Sequence, residues 1–173
     1  HEERYKRTEA FIKILIGLWS ETPGTFQHDS PWYQVKDGYS LPQPSNLPPI
    51  ANAGTSEDAK QMTSSLCDWA FISTPTIEAT AGIVSDITQR ASHAGRTVSC
   101  AAFPFVLWRD SEDEAQSELA KIIQHKDEVA AQNWLDGLAI GSDSFDQFTL
   151  DMMTVGAGAV HVIGTAEQVA ITI

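Results

Sequence analysis

Three short apolar runs, each followed by the start of a helix, recur between residues 50 and 114. The runs are Ile50-Ala51-Asn52-Ala53, Trp69-Ala70-Phe71-Ile72 and Val98 to Trp108. The helices that follow them are predicted from Ser56, from Thr76 to Ala94 and from Ser111. Parallel strands need a crossover, usually helical, to bring the chain back to the same edge of the sheet. Three strand–helix units in succession therefore predict an α/β fold with a parallel sheet.

The segment before this core begins with a helix and continues into an irregular region. From Arg4 to Trp19 apolar residues recur at three- and four-residue spacing, which predicts an amphipathic helix. Residues 20–49 hold six prolines and two glycines, so a long helix is excluded and only short extended pieces such as Trp32-Tyr33-Gln34-Val35 remain. We predict a surface loop over residues 20–49.

The segment after the core shows no clean period until a helix begins at Thr165. Residues 139–164 contain Gly156, Gly158 and Gly164, and such a glycine-rich stretch is typical of a mobile loop. We predict a lid over residues 139–164.

Composition excludes several classes of partner. The chain of 173 residues has 11 basic and 23 acidic residues, for a net charge of -12, and its basic residues form no stripe that could follow a nucleic acid backbone. No apolar run approaches the ~20 residues of a membrane span. Cys67 and Cys100 stand in apolar runs without metal or redox spacing, so we predict two buried thiols in a reducing compartment, the cytoplasm.

The turn Gly54-Thr55-Ser56 is a candidate anion site because it lies between a predicted strand and a helix start. Backbone N–H groups and the helix dipole together favour a phosphate at such a position. The same residues also suit a simple helix cap, and the turn alone does not distinguish the two.

The order of short motifs along the chain resembles the luciferase-like flavin monooxygenases, in the branch that acts on alkanesulfonates, dimethylsulfone and pyrimidine rings. The motifs are His1-Glu2-Glu3-Arg4-Tyr5, Leu18-Trp19, Trp32-Tyr33, Pro42-Gln43-Pro44, Pro49-Ile50, Ala53-Gly54-Thr55-Ser56, Cys67-Asp68, Arg109 to Ala115, Gly156-Ala157-Gly158 and Gly164-Thr165. The resemblance implies a (β/α)₈ barrel of the luciferase-like type, in which residues 1–173 form the C-terminal part of one domain. Such a barrel takes about 250 residues, so this chain is not expected to fold stably by itself.

The resemblance also implies the cofactor and its ligands. In this family reduced FMN (FMNH₂) comes from a separate NAD(P)H-dependent flavin reductase, and dioxygen and a small organic molecule are the other reactants. Arg4 and Tyr5 match an arginine–tyrosine pair that contacts FMN, and Gly54, Thr55 and Ser56 match the turn that holds its phosphate. The family commonly forms homo-oligomers. No catalytic residue and no metal ligand is assigned.

Two departures from the family pattern bear on the substrate. Alkanesulfonate monooxygenases carry an arginine where this chain has Met153-Thr154-Val155, and a histidine in the strand that here reads Phe103-Pro104-Phe105. A sulfonate loses its cationic partner, which favours a neutral organosulfur substrate such as a sulfone. Two alternatives stay open: a deazaflavin-dependent oxidoreductase of the same fold, and a non-catalytic flavin-binding or assembly subunit.

The histidines give no strong signal for a site. His28, His93 and His125 stand among polar residues and are predicted to be exposed. His161 falls within the predicted lid, where it could contact a substrate.

Overall fold

The computed structural model describes residues 3–141 and 153–173. The helices are α1 Arg4–Ser20, α2 Glu57–Leu66, α3 Ile77–His93, α4 Glu112–Gln124, α5 Glu128–Gly141 and α6 Ala166–Thr172, with a 3₁₀ turn at Gly156–Gly158. The strands are β1 Phe26–Asp29, β2 Gln34–Gly38, β3 Ala51–Asn52, β4 Trp69–Ile72, β5 Ser99–Ala102, β6 Pro104–Arg109 and β7 Val160–Thr165. The described residues form two compact units, one within the ranges His1–Asn52, Glu57–Ala70 and Ile87–Ser99, the other within Ala53–Ser56, Phe71–Asp86 and Cys100–Ile173.

The strands that precede helices are parallel, as the strand–helix order predicts. Strands β3, β4 and β5 form one sheet in that order, and Ala51 lies opposite Trp69 in the parallel pair of β3 and β4. Strands β6 and β7 form a second parallel pair, from Pro104 opposite Val160 to Arg109 opposite Thr165. The α/β class is confirmed.

The apolar run from Val98 to Trp108 is not one strand, and that prediction is wrong. It divides into β5 and β6, which pair with different partners, and the break falls at Phe103 and Pro104. Proline has no N–H to give to a ladder, so it stands at the first residue of a strand and not in its middle. Hydrophobicity is continuous across the break, and for this reason the pattern did not reveal it.

The loop predicted at residues 20–49 contains a β-hairpin. Strands β1 and β2 are antiparallel, with Phe26 opposite Gly38 and a register shift between Phe26 and His28. The ring of Phe26 packs directly over Gly17 of α1, where an added Cβ would overlap the ring. Each strand is only four or five residues long, and the prolines around them hid their alternation.

The core of the first unit lies between α1 and α2. Its buried residues are Ile12, Met62 and Cys67, and Tyr5, Ile16, Ile50 and Leu66 pack against them. Burial raises the pKa of the Cys67 thiol, and the neighbouring Asp68 carboxylate raises it further. Cys100 is only partly buried, and its pKa is also raised by burial. Both cysteines are free thiols.

In the second unit α4 and α6 pack against β6 and β7. Both helices begin with a side-chain cap: the Ser111 hydroxyl accepts from the backbone N–H of Glu114, and Thr165 and Gln168 form a reciprocal capping box. Both starts lie where the polar residues predict them.

The predicted lid at residues 139–164 needs a correction at its C-terminal end. Residues 160–164 belong to β7, where Val160, Val162 and Gly164 are buried. Gly164 interrupts the run of apolar residues in β7, and for this reason the sequence pattern did not indicate a strand. Residues 142–152, within the predicted lid, lie outside the described residues, so the mobility of this segment stays a prediction. None of the helices within residues 3–141 and 153–173 is long and apolar enough to cross a membrane.

Candidate functional site

The turn Gly54-Thr55-Ser56 lies where the sequence places it, between β3 and α2. Its three residues are partly buried, and α2 begins at the next residue, Glu57. At the end of β3 the Asn52 amide donates to the Thr63 hydroxyl of α2 over 2.8 Å, so strand and helix are tied together next to the turn. The turn therefore directly precedes the N-terminus of α2, which is the position in the chain where an anion site is expected.

The first turn of α2 also carries two acidic residues, Glu57 and Asp58, which would oppose a bound phosphate. Glu57 is neutralised by two cations: its carboxylate forms ion pairs with Lys60 and, over 2.6 Å, with Arg90. The hydrogen bonds from Lys60 and Arg90 hold the pKa of Glu57 below its usual range. Because Glu57 is paired in this way, much of its repulsion on an anion at the turn is offset.

Arg4 and Tyr5 occupy the first two positions of α1. The Arg4 guanidinium lies 5.0 Å from the centre of the Tyr5 ring, while that ring packs against the core cluster of α1 and α2. Arg4 is exposed and Tyr5 is half-buried. These two residues belong to the first unit, whereas Gly54–Ser56 belong to the second. Their joint contact with one phosphate stays a prediction.

A cavity of about 400 Å³ opens beside the first two turns of α1. It is lined by Glu3, Arg4, Arg7, Thr8, Phe11, Trp32 and Tyr33. The Nε of Arg7 donates to the Tyr33 hydroxyl over 3.0 Å, and the Arg7 guanidinium lies 5.5 Å from the centre of the Tyr33 ring. Arg7 is not among the site residues predicted from the sequence. The three-residue spacing from Arg4, which places both on one helix face, was the signal that could have found it.

The second unit contains a group of aromatic side chains around β6 and β7. The rings of Phe71 and Phe103 stack with centres 5.6 Å apart, and Phe105 lies 5.7 Å from the His161 ring. Gly156 approaches Phe105 so closely that an added Cβ would lie 2.8 Å from the Cβ of Phe105. The Gly-rich turn therefore packs onto β6 at Phe105.

His161 is a strand residue of β7, and its placement in a lid was wrong. Its Nε2 lies 2.8 Å from the carbonyl oxygen of Val155, and its backbone N–H donates to the carbonyl of Pro75. Its Nδ1 is buried and has no hydrogen-bond partner among the described residues. His161 is thus fixed by its neighbours in the strand and the turn.

A second cavity, of about 260 Å³, lies beside Phe103 and Pro104. Its remaining lining residues are Ile77, Thr80, Ala102, Val160, Val162, Thr172 and Ile173. Its two hydroxyls are already engaged, since Thr80 donates to the Thr76 carbonyl and Thr172 to the Gln168 carbonyl. The lining is mainly apolar, in keeping with the apolar character of the Phe103-Pro104-Phe105 segment.

The other described histidines, His28, His93 and His125, take no part in these groups. His93 and His125 are exposed as predicted, whereas His28 is half-buried beside Phe26 in the hairpin, and its Nε2 is buried without a partner among the described residues. The prediction that His28 is exposed is therefore wrong: the hairpin folds its ring against an aromatic neighbour. Within the part of the chain that the structure describes, no three His, Cys, Asp or Glu side chains gather as metal ligands.

Comparison with known proteins places this chain in a family. The model of the luciferase-like monooxygenases matches residues 1–173. An FMNH₂-dependent dimethylsulfone monooxygenase of Pseudomonas fluorescens (strain Pf0-1) is 34% identical over 98% of this chain and 49% of that protein. Another from Pseudomonas putida is 35% identical over 78% of this chain and 37% of its own length. The chain thus spans about half the length of these relatives or less.

The fold is supported by solved structures as well. The crystal structure of a long-chain alkane monooxygenase matches 99% of this chain and 48% of its own, with a TM-score of 0.75 at 20% identity. At that identity the likeness concerns the fold alone, and it identifies the chain as an incomplete part of a TIM barrel. Together with the family match, it leads to one conclusion: the chain belongs to the luciferase-like monooxygenase family.

Proposed function

We propose that the protein containing this chain is an FMNH₂- and O₂-dependent monooxygenase that oxidises a small organosulfur molecule, with a sulfone as the preferred substrate. The observation that carries the proposal is the 34% identity to a dimethylsulfone monooxygenase along 98% of the chain. The similarity covers almost the whole chain and is not confined to one segment.

We assign FMN binding to Arg4, Tyr5, Gly54, Thr55 and Ser56. The donor set fits a phosphate: a guanidinium offers a fork of N–H groups, Tyr5 and Ser56 carry hydroxyls, and Gly54 lets an oxygen approach the backbone before α2. Pairing of Glu57 with Lys60 and Arg90 supports the same assignment, because it limits repulsion of an anion at this turn.

The bound cofactor supplies the electrons that activate dioxygen. The residues of this chain bind and orient it. The Gly54–Ser56 turn holds an anion by its position before a helix, and the Arg4 guanidinium offers charge at the start of α1. The apolar side chains around Phe103 and Phe105 would limit the access of water to a substrate bound beside them, which disfavours side reactions with water.

The preference for a neutral sulfone is supported by the residues around the Gly-rich turn. Met153 and Val155 are buried, and neither side chain carries a charge. The Val155 carbonyl accepts a hydrogen bond from His161. A sulfonate would need a cation there to offset the cost of burial. A sulfone has no net charge and needs only apolar contacts and weak donors.

The proposed reaction implies further partners. A separate NAD(P)H-dependent flavin reductase supplies FMNH₂, and we expect the enzyme to form homo-oligomers. We place the reaction in the cytoplasm, where free thiols such as Cys67 and Cys100 stay reduced.

Oxygen uptake by the full-length protein tests the activity. FMN, NADH, a flavin reductase and catalase are supplied, and dimethylsulfone, an alkanesulfonate and a pyrimidine are compared as substrates. We expect substrate-dependent oxygen uptake with the sulfone and little with the sulfonate. Preference for the sulfonate would overturn the substrate assignment. Reduction of a substrate by a reduced deazaflavin, without oxygen uptake, would favour the deazaflavin-dependent oxidoreductase. Tight FMN binding without turnover of any substrate would favour the non-catalytic subunit.

Affinity for FMN tests the assigned ligands separately. Ser56→Ala and Tyr5→Phe each remove one hydroxyl and should weaken FMN binding about tenfold, as expected for a hydrogen bond to a charged group. Ser65→Ala, at the other end of α2, is the matched control and should bind FMN as the wild type does, because among the described residues Ser65 donates only to the Gln61 carbonyl. Unchanged affinity in all three variants would refute the assignment.

A further inference from the structure

The Gly-rich turn, Gly156–Gly158, has a left-handed backbone. The φ angles of Gly156, Ala157 and Gly158 are 74°, 52° and 81°, and the Ala159 N–H donates to the Gly156 carbonyl over 3.0 Å. Glycine adopts this conformation readily, whereas at Ala157 the Cβ comes too close to the following carbonyl oxygen. A strained residue of this kind persists only where the surrounding structure holds it, and such residues are concentrated at functional sites.

Two side chains hold the Gly-rich turn, one at each end. The Ser73 hydroxyl donates to the Gly158 carbonyl over 2.9 Å, although the two residues lie 85 positions apart in the chain. At the other end Nε2 of His161 lies 2.8 Å from the Val155 carbonyl oxygen. The segment after β4 is also bound to β7, because the backbone N–H of His161 donates to the Pro75 carbonyl. All of these residues belong to the second unit.

The packing around the Gly-rich turn leaves it no space to move closer to its neighbours. An added Cβ at Gly156 would lie 2.8 Å from the Cβ of Phe105. At Gly158 it would overlap the Ser73 hydroxyl and lie 3.0 Å from Cε of Met153, a residue that is itself buried. The turn is therefore fixed by close contacts as well as by the two hydrogen bonds.

Ser73 lies at the face where TIM barrels have their active sites. It directly follows β4, just as Gly54–Ser56 follow β3, and β3 and β4 are parallel. TIM-barrel enzymes bind their substrates beyond the carboxyl ends of the strands. Phe103 directly follows β5 and stacks on Phe71 of β4. The Ser73 hydrogen bond thus connects this face to the turn that packs on Phe105.

We propose that Ser73 is a positioning residue that limits the size of the substrate. Its hydrogen bond fixes Gly158 and keeps the Gly-rich turn against Phe105, so the turn cannot move back to enlarge the space beside that ring. A packed wall that does not move cannot accommodate added methylene groups without strain. The space then accepts dimethylsulfone and excludes dialkyl sulfones with longer chains. This inference deepens the proposed function and rests on it.

Steady-state kinetics of the full-length protein with its flavin reductase test the size limit, with dimethyl, diethyl and dipropyl sulfone as probes. Ser73→Ala removes the hydrogen bond and leaves the Gly158 carbonyl without this donor. We expect a higher KM for dimethylsulfone. The kcat/KM for dipropyl sulfone relative to dimethylsulfone should rise on the order of tenfold. Ser73→Thr keeps the hydroxyl and should retain the preference of the wild type.

Ser64→Ala is the matched control. The Ser64 hydroxyl is also buried and also lies near the carbonyl oxygen of a distant residue, that of Ile87 at 3.2 Å, but both residues belong to the first unit. Both alanine variants should therefore lose stability. Only Ser73→Ala should change the relative rates with the three sulfones, because a purely structural role would leave these rates in the same proportion.

Hydrogen exchange at the backbone amide of Ala159 gives a readout that does not depend on activity. This amide closes the Gly-rich turn on the Gly156 carbonyl, so release of the turn exposes it to solvent. Ser73→Ala should speed its exchange about tenfold. In Ser64→Ala the rate should equal that of the wild type.

The results separate this proposal from the proposed function. The size limit is overturned if Ser73→Ala keeps its fold by circular dichroism and shows the wild-type ratio of rates, or if Ser64→Ala shifts that ratio equally. If the wild type oxidises no sulfone at all, the proposed function fails, and hydrogen exchange alone decides the role of Ser73. Faster exchange at Ala159 in Ser73→Ala then supports its role in positioning the turn, and unchanged exchange overturns it.

Discussion

Nε2 of His161 lies 2.8 Å from the carbonyl oxygen of Val155, six residues earlier in the chain. A carbonyl oxygen can only accept, so Nε2 is the donor in this contact. This contact joins strand β7 to the segment that precedes the Gly-rich turn, and it holds the ring beside Phe105.

Replacement of His161 should destabilise the protein. His161→Ala removes the donor to a carbonyl of the buried residue Val155, at a cost of about 1–3 kcal/mol. His125→Ala is the matched control: Nδ1 of His125 also lies 2.8 Å from a backbone carbonyl, that of Lys121, but this contact is exposed, so the loss should be below about 0.5 kcal/mol. Urea unfolding measures both, and equal losses would contradict the role given to burial.

Gly156 should not tolerate a side chain. Its φ of 74° lies in the left-handed region, and an added Cβ would come within 2.8 Å of the Cβ of Phe105. Gly156→Ala should therefore cost about 2–4 kcal/mol from strain and overpacking. Gly137→Ala provides the contrast, because nothing lies within 4 Å of a Cβ at that position in α5. This helix substitution should raise stability by up to about 1 kcal/mol, and a stable Gly156→Ala would show that the turn relaxes.

Glu57 should make a small contribution to stability that depends on pH. Its pKa is lowered from 4.5 by hydrogen bonds from Lys60 and Arg90, so the charged form is favoured in the folded state. The contribution is complete above the unfolded value and is lost as pH falls through the lowered folded pKa. Since the Glu57 side chain is 72% exposed, solvent screens its ion pairs, and Glu57→Gln should cost less than about 1 kcal/mol at pH 7.

Denaturant titrations of wild type and Glu57→Gln between pH 7 and pH 3 measure this difference. The two stabilities should converge at the acidic end. A difference that persists below the pKa of Glu57, or grows there, would be incompatible with an ion-pair origin.

The Ser111 cap of α4 should contribute more to stability than Ser117, the serine within that helix. The Ser111 hydroxyl accepts from the Glu114 N–H over 3.3 Å, and its loss in Ser111→Ala should cost about 1 kcal/mol. Ser117→Ala changes the same residue type at an exposed position inside α4 and should be neutral or slightly stabilising. The midpoint of thermal unfolding compares them, and a larger loss for Ser117→Ala would exclude the capping role.

The elements predicted correctly from sequence depend on local interactions. Helix α1 follows from apolar spacing over a few turns, and the starts of α4 and α6 follow from Ser111 and Thr165, which bind N–H groups three residues away. The parallel strand–helix order follows from alternation along the chain. Family membership followed from the order of several motifs, because each motif alone is loose.

The structural predictions that were wrong share a different cause. The break at Phe103 and Pro104, the pairing of β1 with β2 and the strand identity of His161 depend on which segments meet in space. Nothing within a few residues of Pro104 indicates that β6 pairs with β7, more than fifty residues away. Sequence alone could not supply these contacts.

The candidate sites show the same division. The sequence by itself determined that Gly54–Ser56 stand between a strand and a helix and that Arg4 begins α1, because both are matters of local order along the chain. Only the tertiary structure brought Tyr33 to Arg7 across 26 residues and Val155 to the ring of His161. A hydrogen bond between distant residues forms only after the chain has packed, and its partners leave no periodic pattern in the sequence.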